Sequence, residues 1–297
     1  LSCLVDADHS DTANFYSPPD DLEIPNLTPT ERLESLKAYV GKLSRASEET
    51  LQNQTRSDWF NYCAKFSTKS SILECDAPVG SGKTTSVVAH LLKVAAERKL
   101  GRIFVVLPFT NIIDQSVEIL RKALVLPGEN PEAVVMAHHH RAEFNDFRYR
   151  GYASTWNAPI VVTTAVQFFE AISACHTGSL RKLHRLCNSA VMVDEAHTAI
   201  PIELWGQHWE WLQELCRDWG SHFVLASGSL VKFWSMKEAV ERPSSLQSLV
   251  PDNLSAQFKK IDTTRVTLRS RSEKFTSLDS LTRFISDTPG PRVVVMN

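Results

Sequence analysis

Apolar positions along the chain fall into short runs separated by longer stretches of helical spacing. The short runs, Ser71–Cys75, Arg102–Leu107, Ala133–Ala137, Pro159–Thr163, Ala190–Val193 and His222–Ala226, read as strands. Lys83–Arg98, Ile112–Leu124, Ala165–Ala174 and Ile202–Trp219 read as helices between most of them. Strands alternating with helices predict an α/β fold, a parallel sheet with helices on both faces. Upstream, residues 1–8 read as the last turns of a helix. Pro18, Pro19, Pro25 and Pro29, close to Asp20, Asp21 and Glu23, mark a linker. Thr28-Pro29-Thr30-Glu31 then opens a helix, with Thr28 as cap, Pro29 in the first position and Glu31 completing a capping box. Leu33, Leu36, Val40 and Leu43 supply its apolar stripe, and a second helix is expected over Glu48–Lys65. Residues 231–262 are poorly periodic and rich in Ser, Pro and Gln, which places a lobe boundary near their end. Arg292–Met296 reads as a buried strand, so 263–297 is expected to begin a second α/β lobe. The chain starts at Leu1 without a methionine and stops just after that strand, the pattern expected of a piece of a longer protein.

Composition narrows the class without choosing a function. Hydrophobic residues make up 43% and charged residues 22% of 297 residues, enough apolar material for a full soluble core. The net charge of -2 gives no bulk argument for nucleic acid, so any strand contact must come from local groups and backbone amides. Cys3, Cys63, Cys75, Cys175, Cys187 and Cys216 are scattered without a C-x-x-C, which favours reduced packing thiols and a cytoplasmic location over zinc or disulfides. No apolar run reaches the ~18 residues of a membrane span.

Candidate chemistry concentrates in two segments. Ala77-Pro78-Val79-Gly80-Ser81-Gly82-Lys83-Thr84-Thr85 lies between an expected strand and an expected helix, the setting of a phosphate loop. Gly80 and Gly82 allow close backbone approach, and the helix contributes its positive N-terminus. Lys83 is expected on the β- and γ-phosphates and Thr84 on Mg²⁺. Ala77 stands where the general pattern has a first glycine. Val193-Asp194-Glu195-Ala196-His197 ends an apolar strand in two carboxylates, at the end where a doubly wound sheet opens its ligand crevice. Asp194 is placed to hold Mg²⁺ through water, and Glu195 to orient or deprotonate the attacking water.

With these motifs in place the sequence resembles superfamily 2 helicases of the DEAH-box kind, and more narrowly the type I CRISPR-associated helicase–nuclease. The resemblance implies a RecA-like doubly wound sheet. It covers a 1–14 segment ending an HD nuclease domain, a 15–45 linker and connecting helix, a 46–262 ATP-binding lobe and a 263–297 start of a second RecA-like lobe. Leu107–Gln115, with Phe109, Thr110 and Asn111, resembles the first strand-binding motif, and Val161–Gln167, with Thr163 and Thr164, the second. Ser227-Gly228-Ser229 stands where the family carries Ser-Ala-Thr, which couples hydrolysis to lobe movement; His197 is implied to link the acidic pair to Ser227 and Ser229. Asn53–Arg56 resembles the nucleotide-side helix, which brings Arg56 to the ATP site. Ser2–Thr12 resembles the closing helix of the HD nuclease domain. There one late aspartate, Asp8 with Asp6 as runner-up, is implied as a transition-metal ligand, against a plain surface aspartate.

The activity implied is ATP-driven translocation on single-stranded DNA in CRISPR interference, recruited by a guide-RNA surveillance complex and paired with the nuclease. The alternatives are another superfamily 2 motor, such as an RNA helicase or restriction-type translocase, or a non-hydrolysing nucleotide-binding scaffold. Because the family supplies its transition-state arginines from the second lobe, this chain alone is expected to turn over little ATP. Other features read as structural. His138-His139-His140, followed by Arg141 and Glu143, reads as a solvated loop, since neighbours on a strand point to opposite sides. Trp205, Trp209 and Trp211, with Leu204, Leu212 and Leu215, read as a core-facing helix ahead of a base-stacking platform. Arg181, Lys182, His184 and Arg185 read as a solvated helix face, with a phosphate contact left open.

Overall fold

The computed structural model describes residues 1–16, 24–138, 155–173, 176–265 and 277–290, with Phe275 and Val293. Among the described residues seven strands form one sheet: β1 (Ile72–Asp76), β2 (Arg102–Leu107), β3 (Val135–His138), β4 (Ile160–Thr164), β5 (Ser189–Asp194), β6 (His222–Ser227) and β7 (Gln247–Ser248). Their order is β3-β4-β2-β5-β6-β1-β7, and every pairing is parallel. This is a RecA-like α/β fold.

Strand residues alternate between two cores. Leu73, Ile103, Val105, Val162, Met192 and Val224 pack on one side, against α2 (Pro29–Ala46), α3 (Leu51–Cys63), α4 (Lys83–Arg98) and α5 (Ile113–Leu124). Phe104, Val106, Val161, Val191, Phe223 and Leu225 pack on the other side. A short α6 (Pro131–Val134) leads into β3, and α7 (Ala165–Ser173) and α8 (Thr177–Leu183) precede β5. The second core also takes in α9 (Trp205–Arg217), with Trp205, Trp209, Leu212 and Leu215 buried beside Phe233 and Trp234. Leu204 is 44% exposed and Trp211 half-buried against the His208 ring, so two members of the expected stripe lie off the core.

The helices upstream differ from expectation at their ends. Thr28 adopts a left-handed conformation (φ 37°) and makes no cap hydrogen bond, so the expected capping box is absent. Its segment is held instead by Arg32, fully buried, which donates to the carbonyls of Leu27 (2.7 Å), Asn26 (3.1 Å) and Leu124 (2.8 Å) and to both carboxylate oxygens of Glu129 (2.8 Å each). α3 starts later than expected because Thr50 caps it by accepting from the Asn53 amide. Within the poorly periodic stretch lie β7, which pairs with β1, and the start of α10 (Asp252–Arg265).

Residues 1–261 form one compact unit and 262–297 another. In the second, α11 (Leu278–Asp287) opens with a reciprocal Ser277–Ser280 capping box. The strand expected over 292–296 falls outside the described residues apart from Val293, as do Pro18, Pro19, Asp20, Asp21, Glu23, His139, His140, Arg141, Glu143 and Cys175. No helix among the described residues is long and apolar enough to cross a membrane.

Candidate nucleotide-binding site

The site lies where β1, β5 and β6 end. Parallel pairing sets Asp194 beside Ala226 and Asp76 beside Ser227, so the three strand ends are abreast. The loop after β1 turns through Gly80 (φ 80°) and Gly82 (φ 81°), left-handed positions that suit glycine, and α4 begins at Lys83. Lys83 Nζ then stands 2.7 Å from Asp194 Oδ1 and 3.5 Å from Glu195 Oε1. Pro78, Val79, Gly80, Gly82, Lys83, Thr84, Thr85, Asp194 and Glu195 line one cavity of about 390 Å³, joined by Ser116 and Ile119 of α5. Sequence reasoning missed those two. Ser116 lies on the turn after Asn111, in a helix whose position depends on sheet order rather than on a local motif.

Glu195 leaves β5 in a left-handed conformation (φ 50°), unusual for a residue with a side chain. Ser227 donates to its Oε2 at 2.6 Å, and the Gly228 amide approaches Oε1 at 3.5 Å. Burial alone pushes this carboxyl up. The Ser227 hydroxyl, Lys83, the Gly228 amide and His197 outweigh burial and bring it below its ordinary value, so Glu195 is ionised at neutral pH. The Ser229 amide donates to Ser227 Oγ at 3.0 Å, which closes a chain from Ser229 through Ser227 to Glu195. Among the described residues His197 bonds to neither serine, and its Nδ1 is buried without a partner there. A Cβ at Gly228, where the resembled family has alanine, would meet Val79 Cγ2 at 3.4 Å, an ordinary contact distance.

Arg56 donates through Nε to the Gly80 carbonyl and through Nη1 to Asn53 Oδ1 at 3.0 Å, bracing the outside of the loop. The donor set suits a phosphate and Mg²⁺. Thr84 and Asp194 offer hard oxygen ligands, and the Ser81 hydroxyl is buried in the loop with no partner among the described residues. Thr85 donates to the Gly82 carbonyl at 2.9 Å and so braces the turn.

Phe109, Thr110 and Asn111 follow β2, and Thr163 and Thr164 end β4. Leu107 pairs with Thr164, which puts both segments at the same sheet edge as the phosphate loop. Phe109 is 65% exposed. Thr163 is fully buried and donates to the His138 carbonyl at 2.9 Å, and Thr164 accepts from the Gln167 amide at 3.2 Å. The basic cluster is not a solvated face. Lys182 is 8% exposed and sits over the Trp156 ring, while Arg181, His184 and Arg185 surround Asp6 at 2.9, 3.7 and 3.6 Å. Asp6 lies on α1 (Ser2–Tyr16), which docks on α8; Asp8 is exposed. Among the described residues no three potential metal-ligating side chains gather.

Comparison with known proteins gives no match among curated sequences. Among solved structures the chain is similar to the DUF1998 helicase MrfA bound to DNA (18% identity, 72% of this chain and 27% of that one, TM-score 0.47). It is also similar to T. fusca Cas3 with AMPPNP (24% identity, 59% and 21%, TM-score 0.42). A third similarity is to the Pyrococcus furiosus Hef helicase domain (17% identity, 80% and 40%, TM-score 0.39). The chain thus spans less than half the length of each. A model of the DEAD/DEAH box helicase family matches residues 59–230, more than half the chain, running from α3 through the phosphate loop and the Asp194–Glu195 pair to Leu230, and the chain belongs to that family.

Proposed function

We propose that this chain is the ATP-binding lobe of a motor that hydrolyses ATP to move along single-stranded DNA. One observation carries the reading: Lys83 reaches Asp194 at 2.7 Å and Glu195 at 3.5 Å across a crevice, although 194 − 83 = 111 positions separate the lysine from the aspartate. With ATP bound, Lys83 exchanges its carboxylate partners for phosphate oxygens. Thr84 and Asp194 are the residues to hold Mg²⁺, which neutralises charge on the β- and γ-phosphates when bound. Glu195, ionised and pinned by Ser227, orients the attacking water and accepts its proton. The Ser229–Ser227 chain reports that event toward the rest of the motor, with His197 as a further neighbour. Phe109, Thr110 and Asn111 hold the strand by hydroxyl and amide contacts to backbone phosphates. Thr164 supports the same edge, and the internally bonded Thr163 shapes it.

The finer proposal is a role in CRISPR interference beside an HD nuclease, with a guide-RNA surveillance complex as recruiting partner. What supports it is the order of segments in the sequence: a Ser2–Thr12 helix resembling the close of an HD domain, a proline-rich linker, then the motor. Asp8, exposed, is the residue to reach a nuclease metal; Asp6 is committed to three basic side chains. The test is ATPase activity of the full-length protein with single-stranded DNA, with RNA and with neither. DNA stimulation that disappears in Lys83→Ala is expected. Stimulation by RNA alone would favour an RNA helicase, and nucleotide binding without turnover a scaffold.

A further inference from the structure

Lys182, on α8, is buried, a rare place for an ammonium unless partners hold it. Its partners come from segments on either side of β4. Nζ donates to Gln167 Oε1 at 3.1 Å, on the first turn of α7. It also sits over the ring of Trp156, ahead of β4, 5.4 Å from the centroid. Burial pushes the ammonium's pKa down, and Glu170, further along α7, pulls it up. Both contacts continue to Thr163 and Thr164. The Gln167 amide donates to Thr164 Oγ1 at 3.2 Å, so Gln167 is tied through its backbone to Thr164 and through its side chain to Lys182. The Trp156 ring meets the His138 ring edge to face at 5.9 Å, and the His138 carbonyl accepts from Thr163. Next to Lys182 on α8, Arg181 donates to Asp6 of α1 at 2.9 Å, which steadies the helix that carries the lysine. The turn held in this way is a surface turn: Val166, beside Gln167, is 60% exposed. Methionine would fill the same space without burying a charge, so packing alone does not account for a lysine here.

We propose, on the reading that Thr163 and Thr164 border the strand path, that Lys182 is a positioning residue for strand binding. It fixes the first turn of α7, and Thr164 with it, at the spacing that a backbone phosphate requires. The first amides of a helix have no acceptor within it and can meet a phosphate. They add to the contacts from the neighbouring loop only while the turn keeps its place beside that loop.

The test uses the full-length protein. It measures the Kd for a fluorescein-labelled oligothymidylate by anisotropy, the Kd for a non-hydrolysable ATP analogue by calorimetry, and the Tm. Lys182→Met is expected to weaken strand binding by about 10-fold or more, the worth of one well-placed hydrogen bond to a charged phosphate. Nucleotide binding and Tm are expected to stay level, because the phosphate loop is untouched and methionine fills the space. Lys182→Arg keeps the charge, a hydrogen-bond donor and the ring contact, and should recover most of the lost affinity. Gln167→Met, at a half-buried position, should weaken strand binding to a similar degree and add little to Lys182→Met. It also carries the test should Lys182→Met fail to fold. Strand binding unchanged by either substitution, or a loss matched by equal losses in nucleotide affinity and Tm, overturns the proposal. No oligothymidylate binding by the unsubstituted protein would instead overturn the strand-path reading, and the role of Lys182 with it.

Discussion

At the scale of single residues, the chemistry depends on how Glu195 is held. Its carboxyl lies below its ordinary value because the Ser227 hydroxyl, Lys83, the Gly228 amide and His197 together outweigh burial. In the proposed role of Glu195 the working form is the ionised one, so a lowered value would extend activity toward acid. Ser227→Ala removes the largest lowering contribution and raises the carboxyl's pKa, so the acidic limb of the kcat–pH profile should move to higher pH. A limb that stays in place would show that Ser227 does not set this group's titration. Glu195→Gln should lower kcat by about 10²–10⁴-fold while nucleotide binding persists. The residue types at this site were legible in sequence: a glycine-rich turn before Lys83 and an apolar run ending in Asp194 and Glu195 state their chemistry locally. Ser227 gripping Glu195 was not, because it depends on β5 and β6 being neighbours, and no local spacing encodes that. The same limit explains His197, which the resemblance tied to the serines and whose Nδ1 makes no hydrogen bond to them among the described residues.

Among the elements, β7, two exposed polar residues, left no apolar run to read, but β1 to β6 were readable to within about two residues, because both faces of each are covered and the apolar runs are nearly continuous. The entry to α2 was not. Thr28 has the composition of a cap, but its left-handed backbone leaves the hydroxyl without a bond to the helix. Arg32 does the holding, and a buried arginine in the first turn looks in sequence like any solvated charge. Its grip joins α2 to the end of α5 and to Glu129, whose carboxyl burial would push up but Arg32 and the Leu126 amide bring down. Arg32→Ala leaves Glu129 and three backbone carbonyls without their guanidinium. The expected loss is about 3–5 kcal/mol, the range for breaking a buried pair from one side. Denaturant unfolding of the variant measures it, and a loss under about 1 kcal/mol, the level of a surface pair, would contradict this account.

At the scale of the whole molecule, the nucleotide cavity has a lysine, two carboxylates and hydroxyls in its lining but no arginine among the described residues. Arginine contacts to the transferring phosphate are worth on the order of 10³–10⁵ in rate. The 297-residue chain assayed by itself is therefore expected to hydrolyse ATP slowly and to respond little to added single-stranded DNA. Vigorous DNA-stimulated turnover by the isolated chain would refute this. The parallel ladder has a consequence of its own. Because side chains flip faces at every step, loss of one amino acid within β6 would turn the Ser227 hydroxyl away from Glu195 while leaving the number of strands intact. The proposed hydrolysis would therefore be tuned like a vernier, by the phase of neighbouring strands, and open to failure by a slip too small to unfold anything.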